Sequence, residues 1–327
     1  MQQSTIARRV ACSGTGLHSG EEVELALCPA VAGTGIVFVS LGAAEDGGDV
    51  EILASPQTVL STARATTLAS WPAPTPSHSR HQDDSHDPRH SAGAKIATVE
   101  HLLATLFALE IDNVRVEVKG SEIPAMDGSA APFVECIRRA GRERQNAARR
   151  ELVIVKPFEI RDGDRWIRVK PADALRISYA IDFAHPWIGR QSLEIPCLDE
   201  EAFERELAAA RTFGFAHEVE ALRDAGLARG GNFDNTVVLD ETRVLNAEGP
   251  RWPDEFVRHK VIDLVGDLAL LGASLHAHIQ VEKGGHRLHH RLVQALVDRP
   301  ELLEAREEGR SIGSDPGPVP LRALAQS

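Results

Sequence analysis

Apolar positions along this chain switch between a period of two and a period near 3.6, and the switches lay out its elements. Residues 4 to 68 read as short strands with turns. "EEVELALCPA" alternates and then meets Pro29, and "TGIVFVS" is a second strand-like run. The pattern stops at residues 69 to 95, "ASWPAPTPSHSRHQDDSHDPRHSAGAK", which are rich in Pro, Ser, His and Asp with almost nothing to bury. A mobile surface insertion is expected there. Its histidines (His78, His81, His86, His90) could take up metal adventitiously, but a solvated loop is the plainer reading.

Helical periodicity returns in "TVEHLLATLFAL", and alternation follows in "NVRVEVKG". In "SEIPAMDGSAAPFVECIRRAG", Asp127-Gly128 makes a turn and Ser129 can cap a helix whose first turn tolerates Pro132. "RRAGRERQNAARRELVI" is polar and basic, and the domain boundary is expected there, near residue 148. Strands resume in "ELVIVKPFEI", "RWIRVKPA" and "LRISYAIDF". A helix is expected around residues 200 to 211. Another helix follows in "FVRHKVIDLVGD" with its strand "SLHAHIQVEKG", and the tail after about residue 300 reads as loosely ordered.

The halves look like divergent copies. "VEHLLATLFALEIDNVRVEVKG" from Val99 and "VRHKVIDLVGDLALLGASLHAHIQVEKGG" from Val257 each give V-x-H, an apolar-periodic helix and an alternating strand ending in Lys-Gly. His101 and His259 occupy the same place in each copy. The expected fold is therefore α+β. It comprises two similar two-layer α/β sandwich domains, residues 1–148 and 149–300, with the active site between them and a tail over 301–327.

Composition narrows the function classes. The 327 residues carry a formal charge of −12, which argues against a nucleic-acid partner. Cys12, Cys28, Cys136 and Cys197 are scattered without a CxxC, so neither a zinc ribbon nor a disulfide framework is suggested, and a cytoplasmic setting is expected. No run approaches the roughly 20 apolar residues of a transmembrane helix, and the N-terminus lacks the apolar core of a signal peptide.

Candidate chemistry sits in the helix from Phe256. His259, Asp263 and Asp267 recur at steps of four, each about 40° further around, and form a polar stripe in an apolar segment. Burying two carboxylates without partners costs several kcal/mol each, and a metal ion is the leading compensation. A catalytic zinc site asks for three protein ligands and an open position. His259 and Asp263 can hold one ion, and His101 could complete the set from the other half. Glu100 points about 100° from its neighbour, a poor co-ligand but well placed as a base. Asp267 could hold another histidine as an imidazolium, and "EKGGHRLHH" offers His286 on a Gly-Gly turn. Taken singly, these features have ordinary readings. A lone His259 is a satisfied core or surface histidine, and Glu100-His101 is a helix start after a Thr98 cap.

Six motifs in order resemble the UDP-3-O-acyl-N-acetylglucosamine deacetylase family, the zinc amidases that commit sugar nucleotides to lipid A in Gram-negative bacteria. They are "GLHSG", "TVEHLLATL", "EIPAMDGSAAPF", "RTFGF", "GGNFDNTVV" and "DEFVRHKVIDLVGDLALLG". The resemblance runs from about residue 5 to about residue 300. It implies two α+β domains with the site between them, and hydrolysis of the 2-acetamido group of UDP-3-O-acyl-N-acetylglucosamine. It implies His101, His259 and Asp263 as ligands of one Zn2+ per chain (Fe2+ as an alternative), Glu100 as base and His286, supported by Asp267, as acid. Thr212 would assist the oxyanion, and Lys260, Phe213, Phe215 and His18 would contact substrate. "DFAHPWIGRQSLEI" and "ALRDAGLARGGN" would help line an acyl passage. A monomer is expected, with no nucleic-acid partner. The basic boundary segment could touch an anionic membrane surface, a solvated linker being the plainer reading.

The chain departs from the family pattern in its long histidine-rich insertion and in "RLHH", which puts His289 and His290 where Asn-Asn is common. Two other functions stay open on the residues: two histidines and a carboxylate also make the Fe(II) oxygenase triad, and a degenerate relative would bind a sugar nucleotide without turnover.

Overall fold

In a computed structural model, which describes residues 1–44, 46–70, 93–307 and 310–312, the alternating segments form two mixed sheets of the same design. The first contains β1 (Val10–Thr15), β2 (Glu22–Pro29), β3 (Ile36–Ser40), β4 (Val50–Leu53) and β5 (Val114–Lys119), in spatial order β1-β2-β5-β3-β4. The second, of eight strands, includes β6 (Phe158–Asp162), β7 (Arg165–Lys170), β8 (Leu175–Asp182), β9 (Arg190–Ile195) and β10 (Ser274–Glu282), which pair in the order β6-β7-β10-β8-β9. Pairings along both paths are antiparallel except β5 with β3 and β10 with β8, which are parallel.

The helices repeat as well. Helix α1 (Glu100–Ala108) precedes β5 and α2 (Ala131–Ala140) follows it; α3 (Glu255–Ala269) precedes β10 and α4 (His286–Asp298) follows it. The strand pattern shows why each sheet has one covered face. In β5, Val114, Val116 and Val118 are buried while Arg115, Glu117 and Lys119 point outward. In β10, Leu275, Ala277, Ile279 and Val281 take the inner positions. Helices α1 and α3 pack on each other. Each is therefore covered on most sides, which is why both read as apolar nearly all round. The fold is α+β, as the alternation of periods predicts.

Several local expectations are corrected. Arg142–Ala148 is a strand paired antiparallel with Gln2–Ile6 rather than a linker. Its side chains are mostly exposed, so the backbone ladder holds it and no burial pattern announces it. Within the basic segment Arg142 pairs with Glu200, and buried Arg149 with Glu110 and Asp112, which leaves less free charge for a membrane surface. The helix expected over 200 to 211 is present but shorter, α-helical over Glu200–Ala202 and continuing as a π-helix over Phe203–Leu207. Arg211 is drawn instead into a buried ion pair with Glu255, Nε to Oε1 3.0 Å. Thr98 does not cap α1; its hydroxyl donates to Glu122 at 2.7 Å, and Val99 takes the cap position. Ala130 occupies the cap position of α2, and Ser129, one residue earlier, supplies the hydroxyl that accepts from the Ala131 N–H at 3.3 Å. Past residue 300 the chain forms the strand Leu303–Glu307, antiparallel to Glu151–Ile154, while residues 308–309 and 313–327 of the tail lie outside the described residues. The insertion begins and ends in paired backbone, Thr67–Ala69 against Lys95–Ile96, and its four histidines lie outside the described residues. Among the described residues no helix is long and apolar enough to cross a membrane.

Candidate active site

Where α1 crosses α3 the backbones nearly touch. A Cβ added at Gly266 would lie 2.1 Å from the carbonyl oxygen of Glu100. Only glycine permits that approach, and it brings the Glu100-His101 turn onto the polar stripe of α3. Alanine normally improves a helix interior by about 1 kcal/mol over glycine. At Gly266 we expect the reverse, a loss of about 1–3 kcal/mol by overpacking. The displaced groups should also lower kcat/KM by about 10²-fold. Denaturant unfolding and steady-state kinetics of Gly266→Ala check both, and a variant as stable and active as its parent would contradict the crossing as a requirement.

Three atoms able to ligate a cation converge at this crossing. His101 Nε2 and His259 Nε2 are 3.0 Å apart, and Asp263 Oδ1 lies 3.7 Å from the first and 3.6 Å from the second. All three residues are buried. Among the described residues Asp263 Oδ1 has no hydrogen-bond partner, an expensive state for a buried carboxylate oxygen. Burial pushes His259 well below its usual pKa, so its imidazole is neutral and offers a lone pair. A triangle with these sides has a circumradius of about 2.0 Å, within the range of zinc–nitrogen and zinc–oxygen bonds. The donor set fits a small divalent cation. On its other oxygen, Asp263 accepts a hydrogen bond from Lys260 Nζ at 2.8 Å. Burial raises the Asp263 pKa, but the cationic Lys260 and His286 beside it help to hold the group ionised.

A second polar group flanks the first. Glu100 Oε1 is 3.7 Å from His286 Nε2, and its Oε2 accepts from the Thr66 backbone N–H at 3.1 Å. Burial pushes the Glu100 pKa up, against the pull of His286 and His101. His286 Nδ1 donates to Asp267 Oδ2 at 2.9 Å. Burial opposes charge on His286, but Asp267, Asp263 and Glu100 outweigh it and push its pKa up to about 10. A cation on Asp263 would cancel part of that push. Burial likewise raises Asp267, while His286 and the donors around it prevail and hold it at about 2. A buried, ionisable carboxylate thus faces a buried imidazolium beside a candidate cation site.

The structure brings His101, His259, Asp263, Glu100, His286 and Asp267 together. His286 is the first residue of α4 rather than part of a loop, with the Gly-Gly turn just before it. Phe213 stands against the His259 ring at 5.9 Å between centroids, with the Lys260 ammonium 5.5 Å from its ring centre. Phe215 lies further out, against Phe183 and His185. Thr212 immediately precedes Phe213 and is half-buried. Its backbone bonds to Gly128 and Val237, and among the described residues no hydrogen bond ties its hydroxyl to the cluster. His18 is not in the cluster; its Nδ1 accepts from Ala228 N at 3.3 Å and its backbone N–H donates to Glu122. Sequence reasoning missed Thr66, whose hydroxyl donates to Asp267 at 2.6 Å, and Tyr179, which reaches the cluster through His289. Neither stands in a sequence pattern that sets it apart from its neighbours.

Residues 3–298 match the family model described as UDP-3-O-acyl N-acetylglycosamine deacetylase. Similar curated proteins carry the name UDP-3-O-acyl-N-acetylglucosamine deacetylase. One from Nitratidesulfovibrio vulgaris is 46% identical, over 94% of this chain and 92% of its own. One from Anaeromyxobacter sp. is 45% identical, over 91% of this chain and 89% of its own. One from Oleidesulfovibrio alaskensis is 43% identical, over 99% of this chain and all of its own length.

Proposed function

The chain belongs to the UDP-3-O-acyl N-acetylglycosamine deacetylase family, and from that premise we propose that it hydrolyses the 2-acetamido group of UDP-3-O-acyl-N-acetylglucosamine, a step of lipid A biosynthesis. Water adds to the acetyl carbonyl, the C–N bond breaks, and acetate and the free sugar amine leave. The observation that carries this reading is the unpartnered, buried Asp263 Oδ1 facing two imidazole nitrogens, beside the Glu100–His286 pair.

His101, His259 and Asp263 are the residues that would hold one divalent cation, zinc first and Fe(II) as an alternative. When bound, such an ion supplies Lewis-acid chemistry, polarising a carbonyl and making water acidic enough to attack near neutral pH. Glu100 takes the proton from the attacking water. Its raised pKa makes it a stronger base than an exposed carboxylate while leaving it ionisable. His286, kept cationic by Asp267, delivers a proton to the leaving amine. Thr212 is assigned to the developing oxyanion, whose stabilisation counts most in the transition state. Lys260, Phe213, Phe215 and His18 are assigned to substrate contacts around this centre, and residues 182–195 and 221–232 to an acyl passage.

The repeated strand order supports two duplicated domains meeting near residue 148, the second extending through Leu303–Glu307. A cytoplasmic setting fits the four free cysteines.

The pH profile of kcat/KM should be bell-shaped. Glu100 acts ionised, so activity is lost as pH falls through its pKa, at a value above the usual carboxylate range because burial raises it. His286 acts protonated, so activity is lost as pH rises through its own raised pKa. Asp267→Asn removes a negative charge that raises His286, and the alkaline limb should move down by about 1–3 pH units. An unmoved limb would contradict the assignment. The function itself is tested by incubating the protein with UDP-3-O-acyl-N-acetylglucosamine and quantifying acetate and free amine, in air and under nitrogen. Equal amounts of both products, indifferent to oxygen, are expected. Oxygen-dependent turnover, or tight binding with no acetate, would overturn the reading.

A further inference from the structure

Asp267 has more partners than its support of His286 requires. Its Oδ2 accepts from His286 Nδ1 and from His289 Nδ1, each at 2.9 Å, while its Oδ1 accepts from the Thr66 hydroxyl at 2.6 Å. His289 is fully buried on α4, and its other nitrogen, Nε2, lies 2.9 Å from the hydroxyl of Tyr179, itself buried on β8. The proton positions follow from the chemistry. An ionised carboxylate only accepts, so both Nδ1 atoms carry hydrogens. Burial disfavours charge on His289 and pushes its pKa down, so its Nε2 is bare and accepts. Tyr179 keeps its proton, because burial raises its pKa further, and donates it to that nitrogen.

The backbone closes tightly over this arm. A Cβ at Gly284 would lie 2.4 Å from the Tyr179 hydroxyl oxygen and 3.0 Å from His289 Nε2. The turn before His286 therefore rests on the Tyr179–His289 bond, and glycine is what lets it rest there. No step assigned above uses either residue, yet both are wholly buried and fully hydrogen-bonded at the ring nitrogens and the hydroxyl. A polar arm of this kind, taken out of water in an apolar layer, is retained only where its partners are all made.

We propose that His289, oriented by Tyr179, is a positioning residue for His286. It donates the second hydrogen bond to Asp267 Oδ2 and so fixes the rotation of that carboxylate. Asp267 in turn fixes the His286 ring, whose Nε2 faces Glu100 Oε1 at 3.7 Å and Asp263 Oδ2 at 3.8 Å. Without His289, Oδ2 keeps a single donor, and only Thr66 opposes rotation of the carboxylate. The inference rests on the role given to His286 above. It also accounts for "RLHH": an asparagine at position 289 could supply a donor from its side-chain amide, and histidine supplies it with a second end for Tyr179.

The test has two parts, both on the full-length, metal-loaded chain. Nitrogen-15 NMR of histidine-labelled protein reads the tautomer of His289 directly, without substrate. The neutral form with hydrogen on Nδ1 is expected, and hydrogen on Nε2 would overturn the proposal. Steady-state kinetics then compare three proteins. His289→Leu should lower kcat about tenfold, at the lower end for an outer partner of a catalytic group, with KM and metal content unchanged. The double variant His289→Asn with Tyr179→Phe restores the donor to Asp267 and removes the hydroxyl that asparagine cannot serve in the same way. It should keep kcat within about threefold of the parent, since the hydrogen bond to Asp267 is retained. A His289→Leu protein with parental kcat overturns the proposal, and so does a double variant as impaired as His289→Leu, which would mean simple packing. If the parent itself released no acetate, the functional reading would fail, while the tautomer would still decide the state of His289.

Discussion

Replacing Glu100 with glutamine is expected to lower kcat by about 10²–10⁴-fold, the range for loss of a general base, while the chain keeps one divalent cation. The amide has the shape of the carboxylate and can still meet the Thr66 N–H, which donates to Oε2 at 3.1 Å. What it cannot do is take a proton from water. Glu100 also belongs to a wider buried group with Asp263 and His286 that has ligand-like spacing, so retention of metal is the informative half of the result. Metal analysis of the purified variant beside its kcat checks it. A variant that loses the cation in proportion to activity would make Glu100 a ligand and remove the base from the proposed reaction.

Asp263→Ala should have the opposite signature. Removing the one anionic group of the proposed ligand set leaves two histidines, and activity at stoichiometric metal should fall below about 10⁻³ of the parent, beyond what one acid or base contributes on average. Stability reports the same loss independently of turnover. A ligand that binds only the folded chain stabilises it by about 4 kcal/mol at a free concentration a thousand times Kd. Chelation should therefore lower the melting temperature of the parent by several degrees and leave that of Asp263→Ala unmoved. The variant without metal is also relieved of an unpartnered buried carboxylate oxygen, although Lys260 loses its partner. A chelator-sensitive Asp263→Ala protein would place the cation elsewhere.

How much of this was legible in the sequence depends on whether an interaction is local. The stripe of His259, Asp263 and Asp267 is visible because helical spacing alone puts the three on one face, and the structure finds it on α3. The two copies of V-x-H are visible for the same reason, and their helices do pack together. Thr66 and Tyr179 are invisible because each acts across the fold. Thr66 meets Asp267 at a separation of 201 positions, and Tyr179 meets His289 at 110. Gly266 carries a weak signal, a glycine inside an otherwise apolar helix, whose meaning appears only when Glu100 is seen against it. The strand Arg142–Ala148 is missed because its side chains face water and its order comes from pairing with the N-terminal strand. His289 shows the limit differently. As a departure from a common asparagine it reads as a loss of support, whereas the buried geometry makes it a donor to Asp267.

The most direct measurement is a zinc titration of chelated protein, recording bound metal and the rate of acetate release from UDP-3-O-acyl-N-acetylglucosamine at each point. We expect a rate that rises in proportion to bound zinc and levels off near one ion per chain, with Asp263→Ala flat throughout. Full acetate release from metal-free protein, or a rate that follows zinc equally well in Asp263→Ala, would contradict a single cation held by His101, His259 and Asp263 as the centre of this site.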